Sequence, residues 1–494
     1  MIFQKRFSDF KNYLLLNKSS ALVIFIIYSV VNINIGLAEY PYIDDIGRQL
    51  QGYSKFSEHY SRYLSEYSAR LIQGGDHLTE LGLTSNILSA YFLTLASLIL
   101  LFVLYPNKKI SFITASVSTI IGINPWFLEP LSFRFDNPFM TLSILVSIIP
   151  FIFWDNKKIF GVMSVVGIFL MCNSYQASSG VYIIVTMTLI FLELLQGSYF
   201  KEKIPKIFIS MLSYVIGLLL YRIQIFIKPP IFADQADIPK GLEMIKIIGV
   251  NATGYLNNIF FQSSTIWVLL TIIAIFLLTI SVIRLSSTKF LLNFVYMLIW
   301  LSLGSVFSYG TYLILSNPYY LMRPRYEYGF GIFLAIILIV SLECGEKSKI
   351  LRRGKSFVSG LLVFYFLSFS FTYVSSLKQQ NEMFKAQSIL LASSLNKYIT
   401  PEKTVINVNR FLSDSPVFTN TASVYPMLKS LIMPNTNVSW DMTLRFNSIT
   451  NLNVDFKLID IANIDFSSEN YTLLEETKLY NIYLGNNELF VIMK

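Results

Sequence analysis

The sequence predicts a polytopic α-helical membrane protein of about eleven transmembrane helices, followed by a small C-terminal α/β domain. Three observations carry this. The 494 residues are 54% hydrophobic, with a mean hydropathy of +0.55. Charged residues make up 14%, against roughly 25% in an ordinary soluble domain. Long apolar runs alternate with short basic loops until about residue 376, after which the chain turns polar and asparagine-rich.

Crossing the hydrocarbon layer takes about 20 mostly apolar residues, fewer where neighbours shelter the helix. Eleven runs qualify: 20–38, 86–105, 110–124, 138–153, 159–173, 177–195, 207–227, 265–283, 290–310, 329–343 and 356–376. The runs 110–124, 138–153 and 159–173 are short and closely linked, so the count is good to two. Gly36 and Ala38 ahead of Glu39 mimic a leader cleavage site. The long polar segment before the first run favours a retained signal anchor.

Charge orients the set. With a cytoplasmic N-terminus, the inside segments hold Lys5, Arg6, Lys11 and Lys18, then Lys108/Lys109, Lys157/Lys158 and Lys201/Lys203/Lys206. They continue with Arg284/Lys289 and with Lys347, Lys349, Arg352, Arg353 and Lys355, as the positive-inside rule requires. An odd number of spans places everything after Ser376 outside. The expected organisation is a multi-span domain 1–376, with a first periplasmic loop at 39–85, and a periplasmic domain 377–494, in a bacterial inner membrane. The net charge of +9 is dispersed over these loops, which argues against a nucleic-acid partner.

The tail reads as helix at 379–397, strand at 404–408, helix at 422–432 and a hairpin of 480–484 with 489–493 around Gly485-Asn486-Asn487. Cys172 and Cys344 fall near opposite membrane faces, too far apart for a disulfide. No metal motif occurs, and no obligatory cofactor is expected; Asp44/Asp45 could hold a divalent cation only weakly.

In the first loop, Phe56, Tyr60, Leu64, Tyr67 and Leu71 recur at helical spacing, which predicts an amphipathic helix on the membrane surface. Arg62, Glu66 and Arg70 share its other face as a solvated, i,i+4-paired set. Asp44 and Asp45 stand apart, because two adjacent carboxylates beside the hydrocarbon boundary repel and lose hydration, which raises one pKa and makes a usable base. The structural alternative is a helix N-cap. His59 and His77, the two histidines of the chain, read as surface residues.

Four blocks resemble the Gtr type II glucosyltransferases: YPYIDDIGRQLQGY followed by SRYLSE, NPWFLEPLSFRFDNPFM, MCNSYQASSGVY and NPYYLMRPRYEYGFGIF. The resemblance covers about residues 20–345. It implies a GT-C-like fold that moves glucose from a polyprenyl-phosphate donor to O-antigen of lipopolysaccharide on the periplasmic face, changing serotype. Donor synthase and flippase are then candidate partners. Position by position, it equates Asp44/Asp45 with an acidic site in the first outside loop, and Arg48 and Arg62 with the basic positions that follow.

Residue chemistry agrees. A phosphate leaves as a stable anion and needs positive charge rather than an acid, so one carboxylate suffices as general base in an inverting displacement. Arg323 and Arg325, stiffened by the proline between them, are the first candidates to hold the donor phosphate; Arg48 and Arg62 come second. Headgroup anchoring is the alternative for the first two. Glu129, Arg134 and Asp136 could bind sugar hydroxyls, or an Arg134–Asp136 pair could tie a tight loop. Tyr175 and Gln176 could line a lipid-sugar groove, or the small residues around them could serve helix packing. A lipid-linked sugar flippase is the competing function, disfavoured because span interiors hold almost no ionisable residues; an O-antigen polymerase component is another.

Overall fold

The structure is a computed structural model that describes residues 2–232, 237–285, 289–344, 348–400, 404–462 and 464–494; Lys347, one of the orienting cations, lies outside them. Among the described residues, seven helices are long and apolar enough to cross a membrane. They are Lys18–Leu37, Thr84–Leu104, Gln176–Leu195, Phe200–Ile227, Thr265–Arg284, Phe290–Phe307 and Lys349–Leu395. The remaining four expected spans are shorter apolar helices: Phe112–Ile123, Asn137–Phe153, Tyr328–Glu343 and Lys157–Cys172. Polar residues end them early. Asn124 stops the first through its own side chain, whose Nδ2 donates to the carbonyls of Ile120 and Ile121. Asn156 caps the start of Lys157–Cys172 by accepting from the Ile159 amide. Residues 328–341 are buried throughout, so Tyr328–Glu343 is surrounded by protein.

The chain divides into two compact units, Met1–Leu37 with Ser54–Phe371, and Ala38–Tyr53 with Thr372–Lys494. The sequence reading put the boundary near 376 and kept all of 39–85 with the membrane domain. Instead the helix Lys349–Leu395 runs through 376 without a break, because neither Gly nor Pro occurs between Gly360 and Pro401. Residues 38–53 group with the C-terminal unit.

In the larger unit, close approach of backbones depends on small residues. Any Cβ on Gly180 or Gly329 would collide with the carbonyl oxygen of Ser308, so both helices meet the end of Phe290–Phe307 through glycine. The expected amphipathic helix 56–71 is two pieces, Phe56–Tyr60 and Tyr63–Gln73, divided at Ser61, whose φ of 56° is left-handed. Phe56 is buried and Leu71 exposed. Glu66 and Arg70 pair as expected, while Arg62 turns elsewhere.

The smaller unit holds a five-stranded sheet in the order β2-β1-β5-β4-β3, with β1 Val405–Val408, β2 Asp455–Leu458, β3 Tyr471–Glu476, β4 Tyr480–Gly485 and β5 Glu488–Met493. β1 runs parallel to β2 and β5; β4 is antiparallel to β5 and β3. Asn486 and Asn487 have φ of 50° and 66°, the two left-handed positions of a tight hairpin turn. Phe384, Leu391 and Leu395 of the long helix pack with Ile406, Val408, Ile482 and Val491. The helix expected at 422–432 is split into Pro416–Val424 and Leu428–Leu431, and Trp440–Thr450, β2 and β3 were not anticipated.

Gly180→Ala should destabilise the protein by about 1–3 kcal/mol through overpacking, measured as a lowered Tm in detergent. Gly249→Ala, where nothing lies within 4 Å of the added methyl, should leave Tm unchanged or raise it.

Candidate active site

The acidic pair sits on a strained turn of the smaller unit. Asp45 is the first residue of the short helix Asp45–Gln51 and is fully buried. Its Oδ2 accepts from the Tyr42 amide at 2.8 Å, while its own amide donates to the Tyr42 carbonyl at 3.0 Å. Between them Ile43 has a φ of 44°, and Glu39 just before has 48°. For a β-branched residue that conformation costs on the order of 1–3 kcal/mol. Asp44 is half-buried and makes no capping hydrogen bond to the helix it precedes. Arg48, one turn on, is buried.

The larger unit gathers the other candidates into two linked groups. In the first, the buried Glu129 carboxylate is 3.2 Å from Arg323 Nε and 3.6 Å from Arg325 Nη1, and it accepts from the Arg325 amide at 3.3 Å. Glu129 thus draws both arginines to one carboxylate. Arg325 Nη2 donates to Tyr326 Oη at 3.1 Å. In the second, Arg62 Nε donates to Gln176 Oε1 at 3.0 Å, with its guanidinium 4.7 Å from the Tyr60 ring and 4.9 Å from the Tyr175 ring. Gln176 Nε2 donates on to Tyr221 Oη at 2.7 Å. Tyr175 lies in the field of both Arg62 and Arg325, and its hydroxyl, although buried, has no hydrogen-bond partner among the described residues.

Arg134 reaches two partners outside its own loop. Its Nε and Nη2 grip Glu80 at 3.0 and 2.9 Å, and Nη1 donates to the Gly36 carbonyl at 3.1 Å. Glu80 thus offers both of its carboxylate oxygens to the planar guanidinium. Asp136 is buried at the start of the helix Asn137–Ile148.

Beside Arg62 opens a cavity of about 410 Å³, within the size range of ligand pockets. Arg62, Gln176, Tyr221 and Arg222 line it with Tyr319 and Tyr326. Val215, Leu218, Leu219 and Ile225 of the helix Phe200–Ile227 form an apolar wall. Val215 and Leu219 are more than half exposed, on a face a bilayer would cover. The sequence reading passed over Tyr221, Arg222 and Gln224. Their signal was present: the polar letters of YRIQ interrupt an otherwise apolar run. Gln224 Nε2 ties the loop to the membrane helices through the Asn173 Oδ1 at 2.9 Å and Ser61 Oγ at 3.0 Å. Among the described residues, no three His, Cys, Asp or Glu side chains gather as a metal set.

At the end of the arginine segment, the buried Glu327 accepts from Asn258 Nδ2 at 2.8 Å. Burial pushes its carboxyl up to about 8, against the opposing effect of that hydrogen bond. Glu66 shows the reverse balance. Burial raises it, but hydrogen bonds from Ser54, Ser57 and Arg70 outweigh burial and hold it below the usual carboxylate range. Because folding raises the pKa of Glu327, its contribution is fully present below its ordinary pKa and is lost as pH rises through about 8. Wild-type Tm should therefore fall between pH 5 and 9, and Glu327→Gln, which mimics the neutral acid, should flatten that slope in a pH series of thermal melts.

Comparison with known proteins bears on what this site is. A sequence profile described as "Glucosyl transferase GtrII" matches residues 33–336, more than half of the chain. The curated relative found is described as an "Uncharacterized 55.3 kDa protein in gtrB 5'region" of Salmonella phage P22, 27% identical over 225 residues, or 44% of this chain and 44% of that protein. The chain thus matches less than half the length of that relative. No solved structure matches. With both the Asp44/Asp45 turn and the Arg62, Glu129 and Arg325 groups inside the matched segment, the chain belongs to the GtrII glucosyl transferase family.

Proposed function

We propose that this protein is a membrane glucosyltransferase that moves glucose from a polyprenyl-phosphate donor to O-antigen on the periplasmic face of a bacterial inner membrane. The observation that carries the reading is the cavity beside Arg62. An isoprenoid phosphate needs an apolar groove open to lipid and a fixed cation where the chain meets its headgroup. The Val215/Leu219 wall and the Arg62 guanidinium meet those two needs. Arg62 is braced by Gln176 and by two tyrosine rings, which lowers the entropic cost of holding a phosphate. Arg323 and Arg325, held together at Glu129, serve as the second contact.

Transfer is a single displacement with inversion. The acceptor hydroxyl loses its proton to Asp44 as its oxygen bonds to the anomeric carbon, and the bond from that carbon to the phosphate oxygen breaks, leaving its electron pair on phosphate. Asp44 is the better base of the pair because Asp45 is spent on the Tyr42 amide. Asp45 shapes the turn. A phosphate leaving group needs cations rather than an acid, so the absence of a second carboxylate from the scheme is no defect.

The test is purified protein in lipid with labelled polyprenyl-phosphate-glucose and O-antigen. Labelled polysaccharide supports transfer; donor that only changes leaflet identifies a flippase, and lengthened chains without glucose identify a polymerase. Asp44→Asn should lower kcat by about 10²–10⁴-fold with donor KM little changed, and wild-type turnover removes the base assignment. Arg62→Ala should raise donor KM by roughly 10- to 100-fold, the worth of one charge-assisted hydrogen bond; an unchanged KM places the phosphate elsewhere.

A further inference from the structure

The turn that bears Asp44 is pinned from the C-terminal part of its own unit. Asn381, on the long helix and buried, donates from Nδ2 to the carbonyls of Ala38 at 3.2 Å and Glu39 at 2.9 Å. Its Oδ1 is taken by Arg445 Nη2 at 2.6 Å. Arg445, only 4% exposed, lies with its guanidinium 4.1 Å from the Phe384 ring and 4.8 Å from the Tyr40 ring. Farther along the turn, Tyr42 Oη donates to the Leu431 carbonyl. One buried cation, one amide and two rings therefore hold the backbone on the near side of Ile43, and a tyrosine holds it beside the strained residue.

A buried arginine costs several kcal/mol of desolvation unless the structure repays it. Here the repayment comes from π faces and an amide, from a hydrogen bond with the Tyr40 side chain and from the field of the buried Asp441, while Arg445 Nη1 has no hydrogen-bond partner among the described residues. Two left-handed residues, Glu39 and Ile43, persist only where surroundings over-determine them. We infer that Asn381 and Arg445 are positioning residues: they clamp the strained turn 39–45 so that Asp44 is held in its working direction. This rests on the reading of Asp44 as the base.

The clamp has a distinctive kinetic signature, because it acts through one carboxylate and not on the donor cavity. Asn381→Asp keeps an acceptor for Arg445 but replaces the donor to the two carbonyls with a repelling oxygen. Arg445→Met keeps apolar bulk between the rings and removes the charge. Each should cut kcat by on the order of ten- to a hundredfold, the cost of a misplaced catalytic group, with donor KM within about twofold. Each should also have little further effect in an Asp44→Asn background, since no base remains to be aimed. The experiment is that double-mutant cycle, run on the full-length protein in lipid, with Tm recorded for every variant. Should Arg445→Met fail to fold, Asn381→Asp decides alone. Wild-type kcat in Asn381→Asp at unchanged Tm overturns the clamp, and so does an undiminished further loss in the Asp44→Asn background. Wild-type turnover in Asp44→Asn itself would instead overturn the reading of the base, a result distinguishable from either.

Discussion

Hydrocarbon supplies no hydrogen bonds, so every backbone group in an apolar region must find its partner inside the protein. That constraint governs how the larger unit can afford its interrupted helices. The break after Phe307 leaves the carbonyls of Tyr312, Leu313 and Leu315 pointing inward, and one buried side chain, Asn251, donates to all three at 2.9–3.2 Å. Ser174 closes the break after Cys172 by donating to the Phe139 carbonyl at 2.6 Å. Irregular backbone is tolerated because polar side chains sit where the helices stop, and the cavity is lined from those same stops.

Charge follows the same logic. Glu129 is wholly buried beside two arginines, and Glu66 is buried under hydrogen bonds from two serines and Arg70. Glu327 accepts from the neutral Asn258 amide, and burial pushes its carboxyl up to about 8. Arg62 differs from these in taking an amide and two rings in place of a carboxylate, which leaves its positive charge undiminished for an anionic ligand.

Much of this was legible in the letters. Apolar runs located the helices, since hydrophobic length is a strong signal, and Gly485-Asn486-Asn487 announced its hairpin through left-handed asparagines. Weak periodicity hid β3, whose YTLLEE is half-exposed on both faces, and the edge strand β2. The four blocks flagged Arg62, Glu129, Arg325 and Gln176 individually, but no spacing rule says that Glu129 reaches across some two hundred positions to Arg323 and Arg325. Nor could it show that residues 38–53 fold with residues 372–494, because that grouping rests on tertiary contacts such as Asn381 to Ala38 and Arg445 to Tyr40.

The middle strand of the sheet, β5, is also the last made, at Glu488–Met493. A ribosome must therefore deliver the chain as far as β5 before the unit that includes residues 38–53 can complete its sheet. Such long sequence separation slows assembly, and it also acts as a check on completeness. A chain stopped ahead of β5 would lack the middle strand of that sheet and leave unfinished the unit that carries the acidic turn.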